Sequence, residues 1–254
     1  MTGFSRKKAR PRITAVSASD TGLVRGNNED HLLVDDEHLV YCVADGMGGG
    51  AEGERASELT CAEIAMLVRL QPENLVIRLD AACTAVVCAN EAIHDYAKER
   101  GFSQMGTTLA LLMFDPCDAA HAVICHVGDS RIYRFREGGV FPLTRDHSVG
   151  VELARRFGES ELSARSNPLS HVLTRAIGTG STVCPDWKRL TLRPGDRYLI
   201  CTDGVHDVVS DERLLEVLGT GTAEEAKEAL LHEVYDCGAP DNLSFIVLDV
   251  AAEG

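Results

Sequence analysis

The chain carries 254 residues, 44% of them apolar and 25% charged, an ordinary globular composition that suits one large domain or two small ones. Its 25 Lys and Arg stand against 39 Asp and Glu, a formal charge of −14, which excludes sequence-independent nucleic-acid binding, since that needs cations to neutralise phosphate. No apolar run approaches the ~20 residues of a membrane span. The basic start (Arg6, Lys7, Lys8, Arg10, Arg12) is followed only by the short apolar stretch Ile13 to Val16, too little for a signal peptide.

Residues 1–12 therefore read as a flexible basic tail. Runs rich in β-branched residues predict strands near 12–18 and 38–44. Ala-, Leu- and Glu-rich stretches then predict helices at about 54–70 and 74–99, with Pro72 between them. Strands near 107–114, 120–127 and 131–136 follow, and the polar, irregular stretch 147–170 reads as a surface flap. A strand near 196–202, a helix over about 223–235 with a Thr222–Glu225 capping box, and a strand near 243–250 complete the series. No linker or repeat divides the chain, so residues 13–254 are expected to form one domain. Strands joined by short turns favour antiparallel sheets, and grouped helices favour a layered α+β arrangement over a doubly wound one.

The nine cysteines are odd in number and contain no Cys-x-x-Cys pair. Most stand in apolar runs, such as Val123-Ile124-Cys125 and Leu199-Ile200-Cys201, where a free thiol packs as a small hydrophobe. Reduced thiols in a cytoplasmic protein are the reading this supports.

The chemistry emerges from where the aspartates sit. Asp45 ends the apolar run Val43-Ala44 and precedes Gly46-Met47-Gly48-Gly49-Gly50; Asp203 ends Leu199-Ile200-Cys201-Thr202 and precedes Gly204. Asp129 stands in Val127-Gly128-Asp129-Ser130-Arg131, and Asp241-Asn242 opens the last strand. One Asp-Gly pair is only a turn. Four carboxylates at the ends of buried strands suggest charges converging on one edge of the core, where bound cations would neutralise them. An oxygen-only ligand set suits Mg²⁺ or Mn²⁺ and not zinc, and the clustered Cys/His spacing of a zinc hydrolase does not occur. A P-loop is excluded as well, because no Gly-Lys-Ser or Gly-Lys-Thr follows the glycines.

The stretch Ser19-Asp20-Thr21-Gly22-Leu23-Val24-Arg25-Gly26-Asn27-Asn28-Glu29-Asp30 resembles the opening motif of the metal-dependent protein phosphatases, the type-2C or PPM family, in its short bacterial form. Further matches follow in family order: Ala44 to Gly49, Gly106-Thr107-Thr108, Val127 to Arg131, Leu143-Thr144-Arg145-Asp146-His147-Ser148, Leu173-Thr174-Arg175-Ala176-Ile177-Gly178, Thr202-Asp203-Gly204 and Asp241-Asn242-Leu243-Ser244. The resemblance implies a four-layer α-β-β-α sandwich, two antiparallel sheets flanked by helix pairs, with a metal centre at one end. It implies a protein serine/threonine phosphatase in which water on a binuclear Mg²⁺ or Mn²⁺ centre attacks phosphoserine or phosphothreonine.

By the same resemblance Asp45 bridges two tightly held ions, the Gly46 carbonyl joins one, and Asp203 and Asp241 hold the other. Asp129 joins Asp203 at a third, weaker ion, and Glu29 and Asp30 act through metal-bound waters. Arg25 holds the substrate phosphate, a task suited to a guanidinium fork. The implied partners are phosphoproteins, namely a Ser/Thr kinase of the eukaryotic-like bacterial type and its substrates, met by a monomer. Met47 stands where many eukaryotic relatives carry a histidine that protonates the leaving oxygen, so the general acid is unassigned. His206 and His147 are expected to be structural, His147 bracing the flap. The alternative reading, a catalytically inactive phosphatase-fold protein that binds partners, would be marked by loss of these ligands.

Overall fold

The computed structural model describes residues 10–71, 73–102, 104–160 and 167–251. Pro72, most of the basic tail, residues 161–166 of the expected flap and the last three residues lie outside the described residues.

The apolar runs become strands with both faces covered. In β3 (Val40–Met47), Val40, Cys42 and Ala44 join one apolar cluster while Tyr41 and Val43 join another. β5 (Leu109–Phe114) divides the same way, with Leu109, Leu111 and Met113 on one side and Ala110, Leu112 and Phe114 on the other. In β11 (Leu243–Val250), Phe245 and Val247 face a third cluster and Ile246, Leu248 and Val250 face the second. Because successive side chains on a strand point to opposite faces, a continuous apolar run requires a layer on each side.

Two antiparallel sheets supply these strands. One runs β1 (Ile13–Asp20), β11, β10 (Arg197–Cys201), β7 (Arg131–Arg136), β8 (Gly139–Pro142). The other runs β2 (Asp30–Asp35), β3, β5, β6 (His121–Val127), β9 (Asp186–Thr191), with the two-residue β4 (Gly106–Thr107) pairing with the end of β3. Between them Phe114 meets Tyr41 and Tyr198 edge-on, with ring centroids 5.9 and 6.2 Å apart. Helices α1 (Ala51–Arg69) and α2 (Leu75–Arg100) cover the outer face of the β3 sheet. Among the described residues, the helix α3 (Val149–Phe157) is followed by the single turn α4 (Asp203–His206), then α5 (Asp211–Leu218) and α6 (Ala223–Asp236), the last two covering the other sheet. The four-layer sandwich is thus present, and the Thr222–Glu225 capping box opens α6 as expected.

Among the described residues, three strands and three short helices were not expected from the sequence. β9 buries only Leu190 of its six residues, so it lacks the alternation that marks a half-buried strand, and β8 is only four residues long. β2 has a charged residue at each end. The stretch 147–170 is not simply irregular: it contains α3 (Val149–Phe157), capped by the Ser148 hydroxyl, which accepts from Val151 N–H, and stopped by Gly158 at φ 72°. This helix buries only Gly150, Val151 and Ala154, which explains its polar composition. The cysteines also divide differently. All nine are free, but only Cys42, Cys61, Cys125 and Cys201 are buried, and Cys88, Cys117, Cys184 and Cys237 are exposed.

Register gathers one end of both sheets. Cys201 pairs with both Phe245 and Arg131, so the end of β10 and the starts of β11 and β7 are neighbours. In the facing sheet Asp45 pairs with Asp30, and Leu109 with Val127. The loops after β10 and β6, the start of β11 and the end of β3 therefore open on a common edge.

Candidate metal centre

On that edge lies a cleft of about 620 Å³ lined by Arg25, Glu29, Asp45, Gly46, Asp129, Asp203 and Asp241. Its opposite wall is built by the segment that follows the flap, including His171, Val172, Thr174 and Arg175.

Neutral polar groups hold the backbone around the carboxylates. The Asp45 N–H donates to Thr108 Oγ1 at 3.0 Å, and that oxygen lies 2.6 Å from Ser130 Oγ, next to Asp129. Thr107 Oγ1 donates to the Asp45 carbonyl at 2.8 Å. Thr202, just before Asp203, donates through Oγ1 to Asp30 Oδ2 at 2.9 Å and accepts from Ser244 N–H at 3.0 Å. Asn242 N–H donates to Asp241 Oδ1 at 2.8 Å. The backbone passes closely here. A Cβ on Gly46 would lie 2.1 Å from the Gly53 carbonyl oxygen, and one on Gly204 1.9 Å from that of Asn242, so only glycine fits at either place.

Asn242 is a brace that sequence reasoning did not single out. Its side-chain carbonyl accepts from Glu29 N–H at 2.9 Å, and its amide donates to the carbonyls of Thr21 and Asn27 at 3.0 and 2.8 Å. Leu23 N–H donates to the Ala239 carbonyl at 2.9 Å. The loop bearing Arg25 is thereby pinned on both sides, and the guanidinium donates through Nη2 to Asp241 Oδ2 at 2.7 Å. Glu29 Oε1 accepts from Gly50 N–H at 2.7 Å.

Asp30 departs from its neighbours. It does not line the cleft but lies behind it, buried, with Oδ2 on Thr202 and Oδ1 without a hydrogen-bond partner. The two histidines make hydrogen bonds that tie neighbouring segments together. His206 is buried and donates through Nε2 to the Asp129 carbonyl at 3.1 Å. His147 joins the flap to the hairpin of Asp129: its N–H donates to the Gly128 carbonyl at 2.9 Å and its carbonyl accepts from Thr174 N–H at 2.8 Å.

Among the described residues His126, His147 and Asp186 also bring possible ligand atoms within 4.8 Å of one another. Proton placement argues against a metal there. His147 Nδ1 accepts from Gly128 N–H at 3.1 Å, so the neutral ring carries its proton on Nε2, which faces Asp186 Oδ2 at 3.3 Å. A cation on Nε2 would leave that ring without either proton. Asp186 already pairs with Arg175 at 2.6 Å.

The cleft is electrostatically unbalanced. Burial, then the charges of Asp203, Asp30 and Asp129, push the Asp45 carboxyl well above the usual range. Burial, then Asp203, does the same to Asp129. Asp203 is raised by burial despite the opposing pull of His206. Asp30 is pushed up to about 7, chiefly by burial, with the Ser244 and Thr202 hydrogen bonds working the other way. Crowded carboxylates, an orphaned buried oxygen and an all-oxygen donor set fit a hard divalent cation.

A pH dependence with a calculable sign follows. Each raised carboxyl binds its proton more tightly folded than unfolded, so its contribution is intact below about pH 4 and is lost as pH rises toward its folded value, at up to about 1.4 kcal/mol per pH unit. His147, pushed down to about 4 by burial and then by His126, and His126, lowered by burial, act oppositely between there and about 6.5. The four carboxyls outweigh the two imidazoles. In EDTA the urea midpoint should fall between about pH 5 and 7, and saturating manganese should reverse that slope by removing the carboxylate contribution. A rise with pH in EDTA would contradict the crowded-carboxylate reading.

Comparison with known proteins agrees with this geometry. The family model for protein phosphatase 2C matches residues 24–235. The serine/threonine protein phosphatase PstP of Mycobacterium tuberculosis is 38% identical over 246 residues, covering 94% of this chain and 46% of that protein, so the chain spans about half the length of this curated relative. A putative protein phosphatase 2C-type of Streptococcus pyogenes is 30% identical over 240 residues, covering 92% of this chain and 96% of that one. Among solved structures, the catalytic domain of PstP in complex with two manganese ions superposes with a TM-score of 0.81 at 35% identity, covering 94% of this chain and 98% of that chain.

Proposed function

The chain belongs to the protein phosphatase 2C family, and from that premise we propose that it is a metal-dependent protein phosphatase acting on phosphoserine and phosphothreonine. The observation that carries the proposal is the meeting of Asp45, Asp129, Asp203 and Asp241 in one cleft with the Arg25 guanidinium beside them. Residues 13–254 would act as one catalytic unit.

Asp45, the Gly46 carbonyl, Asp203 and Asp241 would hold two divalent ions, Mn²⁺ or Mg²⁺, and Asp129 with Asp203 a weaker third; such ions lower the pKa of water and neutralise charge on phosphoryl oxygens. The manganese of the PstP structure supports this choice of ion. Thr108, Ser130 and Thr202 hold the carboxylate-bearing backbone still. Glu29 and Asp30 would orient water from behind, Glu29 at the cleft wall and Asp30 beneath it. Arg25 stays cationic, its pKa raised by the Asp241 hydrogen bond and then by Asp241's charge, and its exposed fork can donate to two phosphate oxygens. Phosphoproteins are the substrate class, with a eukaryotic-like Ser/Thr kinase and its substrates the proposed targets of a monomer in the cytoplasm. Among the described residues no helix is long and apolar enough to cross a membrane.

Hydrolysis of an aryl phosphate and a phosphothreonine peptide with and without manganese tests the proposal. Activity should require the metal and vanish in EDTA; binding of phosphopeptide without turnover would instead indicate the inactive, partner-binding alternative. Arg25→Ala should weaken phosphate binding by about 1.5–3 kcal/mol, roughly 10- to 150-fold. Phosphate is charged in both ground and transition states, so KM should rise more than kcat falls, and Arg25→Lys should recover only part. An unchanged KM in Arg25→Ala would assign the phosphate to another residue.

A further inference from the structure

Phosphate ester hydrolysis in the carboxylate cleft requires one more component. A serine or threonine oxygen leaving phosphorus needs a proton, because an alkoxide is a poor leaving group, and an acid placed at that oxygen is worth about 10²–10⁴-fold. Arg25 and Arg175 line the cleft but cannot give one, since a guanidinium does not deprotonate in a protein. Met47 has no proton to give, and the carboxylates there are the ligand set. Among the described residues that line the cleft, only His171 carries an imidazole, the group whose ordinary pKa lies near neutrality.

The backbone and a carboxylate fix its place. His171 stands in the segment after the flap, where the next residue, Val172, donates N–H to the Leu169 carbonyl at 3.2 Å and accepts from Val149 N–H at 2.8 Å. The His171 Nδ1 lies 3.3 Å from Asp207 Oδ2. Asp207 is itself tied to the carboxylate edge: its N–H donates to the Asp203 carbonyl at 2.9 Å, and its Oδ1 faces the buried His206 at 3.1 Å. With Nδ1 turned to Asp207, Nε2 is the ring nitrogen left for the cleft, and the side chain is exposed at the rim.

We propose that His171 is the general acid of the cleft, protonating the serine or threonine oxygen as it leaves phosphorus, with Asp207 positioning the ring.

This assignment rests on the phosphatase reading, and in-line displacement supplies its direction. Attacking and leaving oxygens lie on opposite sides of phosphorus. Water arriving from the carboxylate floor therefore drives the leaving oxygen toward the mouth, where His171 stands across from Arg25. The water oxygen bonds to phosphorus and releases one proton to solvent. The bond from phosphorus to the side-chain oxygen breaks, and that oxygen takes the Nε2 proton of the imidazolium. Asp207 stabilises the cationic ring before the transfer and keeps the remaining proton on Nδ1 afterwards. Solvent then returns a proton to Nε2, so the ring is unchanged over one turnover.

The test compares leaving groups in His171→Gln with manganese saturating. Turnover of a phosphothreonine peptide should fall by about 100-fold or more. Turnover of para-nitrophenyl phosphate should fall far less, because nitrophenolate departs without a proton. Manganese should raise the melting temperature of the variant as much as that of the parent, since His171 is not a ligand. Equal losses on both substrates, an unimpaired phosphothreonine turnover, or a variant that manganese no longer stabilises would overturn the assignment. A parent chain that hydrolyses neither substrate with manganese would instead overturn the phosphatase reading, and the assignment with it.

Discussion

Asp45→Asn is expected to lower manganese-dependent turnover by more than about 100-fold, because even groups that merely orient metal ligands are worth about 10- to 100-fold. The same substitution should raise the melting temperature in EDTA. Asp45 is pressed by burial and by the charges of Asp203, Asp30 and Asp129, so at neutral pH folding must either hold a proton there or bear an unfavourable charge. Asparagine has the same shape and removes that cost, while its backbone N–H can still reach Thr108. Manganese should then stabilise the variant far less than the parent protein, since binding to the folded state is what shifts its melting point. Two observables thus move in opposite directions. Loss of activity with a lower melting temperature in EDTA would make Asp45 a structural residue; retained activity would remove it from the metal site.

How far the site can be read from sequence depends on the energetic signature of each residue. Asp45, Asp203 and Asp241 are legible because a carboxylate at the end of an apolar run is unfavourable there unless something answers its charge. Arg25 becomes a candidate only through the motif resemblance, whereas Asp129 already belongs to the strand-end carboxylates and takes only its role from the resemblance; the structure puts both in the cleft. Thr108, Thr202 and Asn242 stand inside the quoted motifs yet give no sign of their work. Hydroxyls and amides are ordinary turn residues in sequence, and only the paired distances show them bracing backbone across 42 to 221 positions of chain. The cleft wall at His171 to Ala176 lies just beyond the predicted flap, because what fixes that boundary is the distant contact of Thr174 N–H with the His147 carbonyl. At the level of the fold, β3, β5 and β11 announce themselves by continuous apolar runs, whereas β9 and α3 bury too few residues to leave a period.

Arg131→Ala should cost roughly 3–5 kcal/mol, a drop in melting temperature on the order of 10 °C for a chain of this size. Arg131 is buried and grips Asp146 with two bonds, Nε to Oδ1 at 2.9 Å and Nη2 to Oδ2 at 2.6 Å, while Nη1 donates to Tyr133 Oη at 3.1 Å. Burial opposes its charge, but the Asp146 bonds outweigh that and raise its pKa. Removing the guanidinium leaves Asp146 nearly buried and unpaired, close enough to add to the charges already raising Asp129. The penalty should therefore be greater in EDTA than in saturating manganese. Much of it belongs to the abandoned carboxylate and not to the pair itself, since buried ion pairs replaced on both sides by apolar groups are often near neutral. Urea unfolding of Arg131→Met, Asp146→Leu and the double variant separates these contributions. The double variant should recover most of the loss of Arg131→Met, and a double variant no more stable than Arg131→Met would show that the guanidinium acts through Tyr133 or the backbone and not through Asp146.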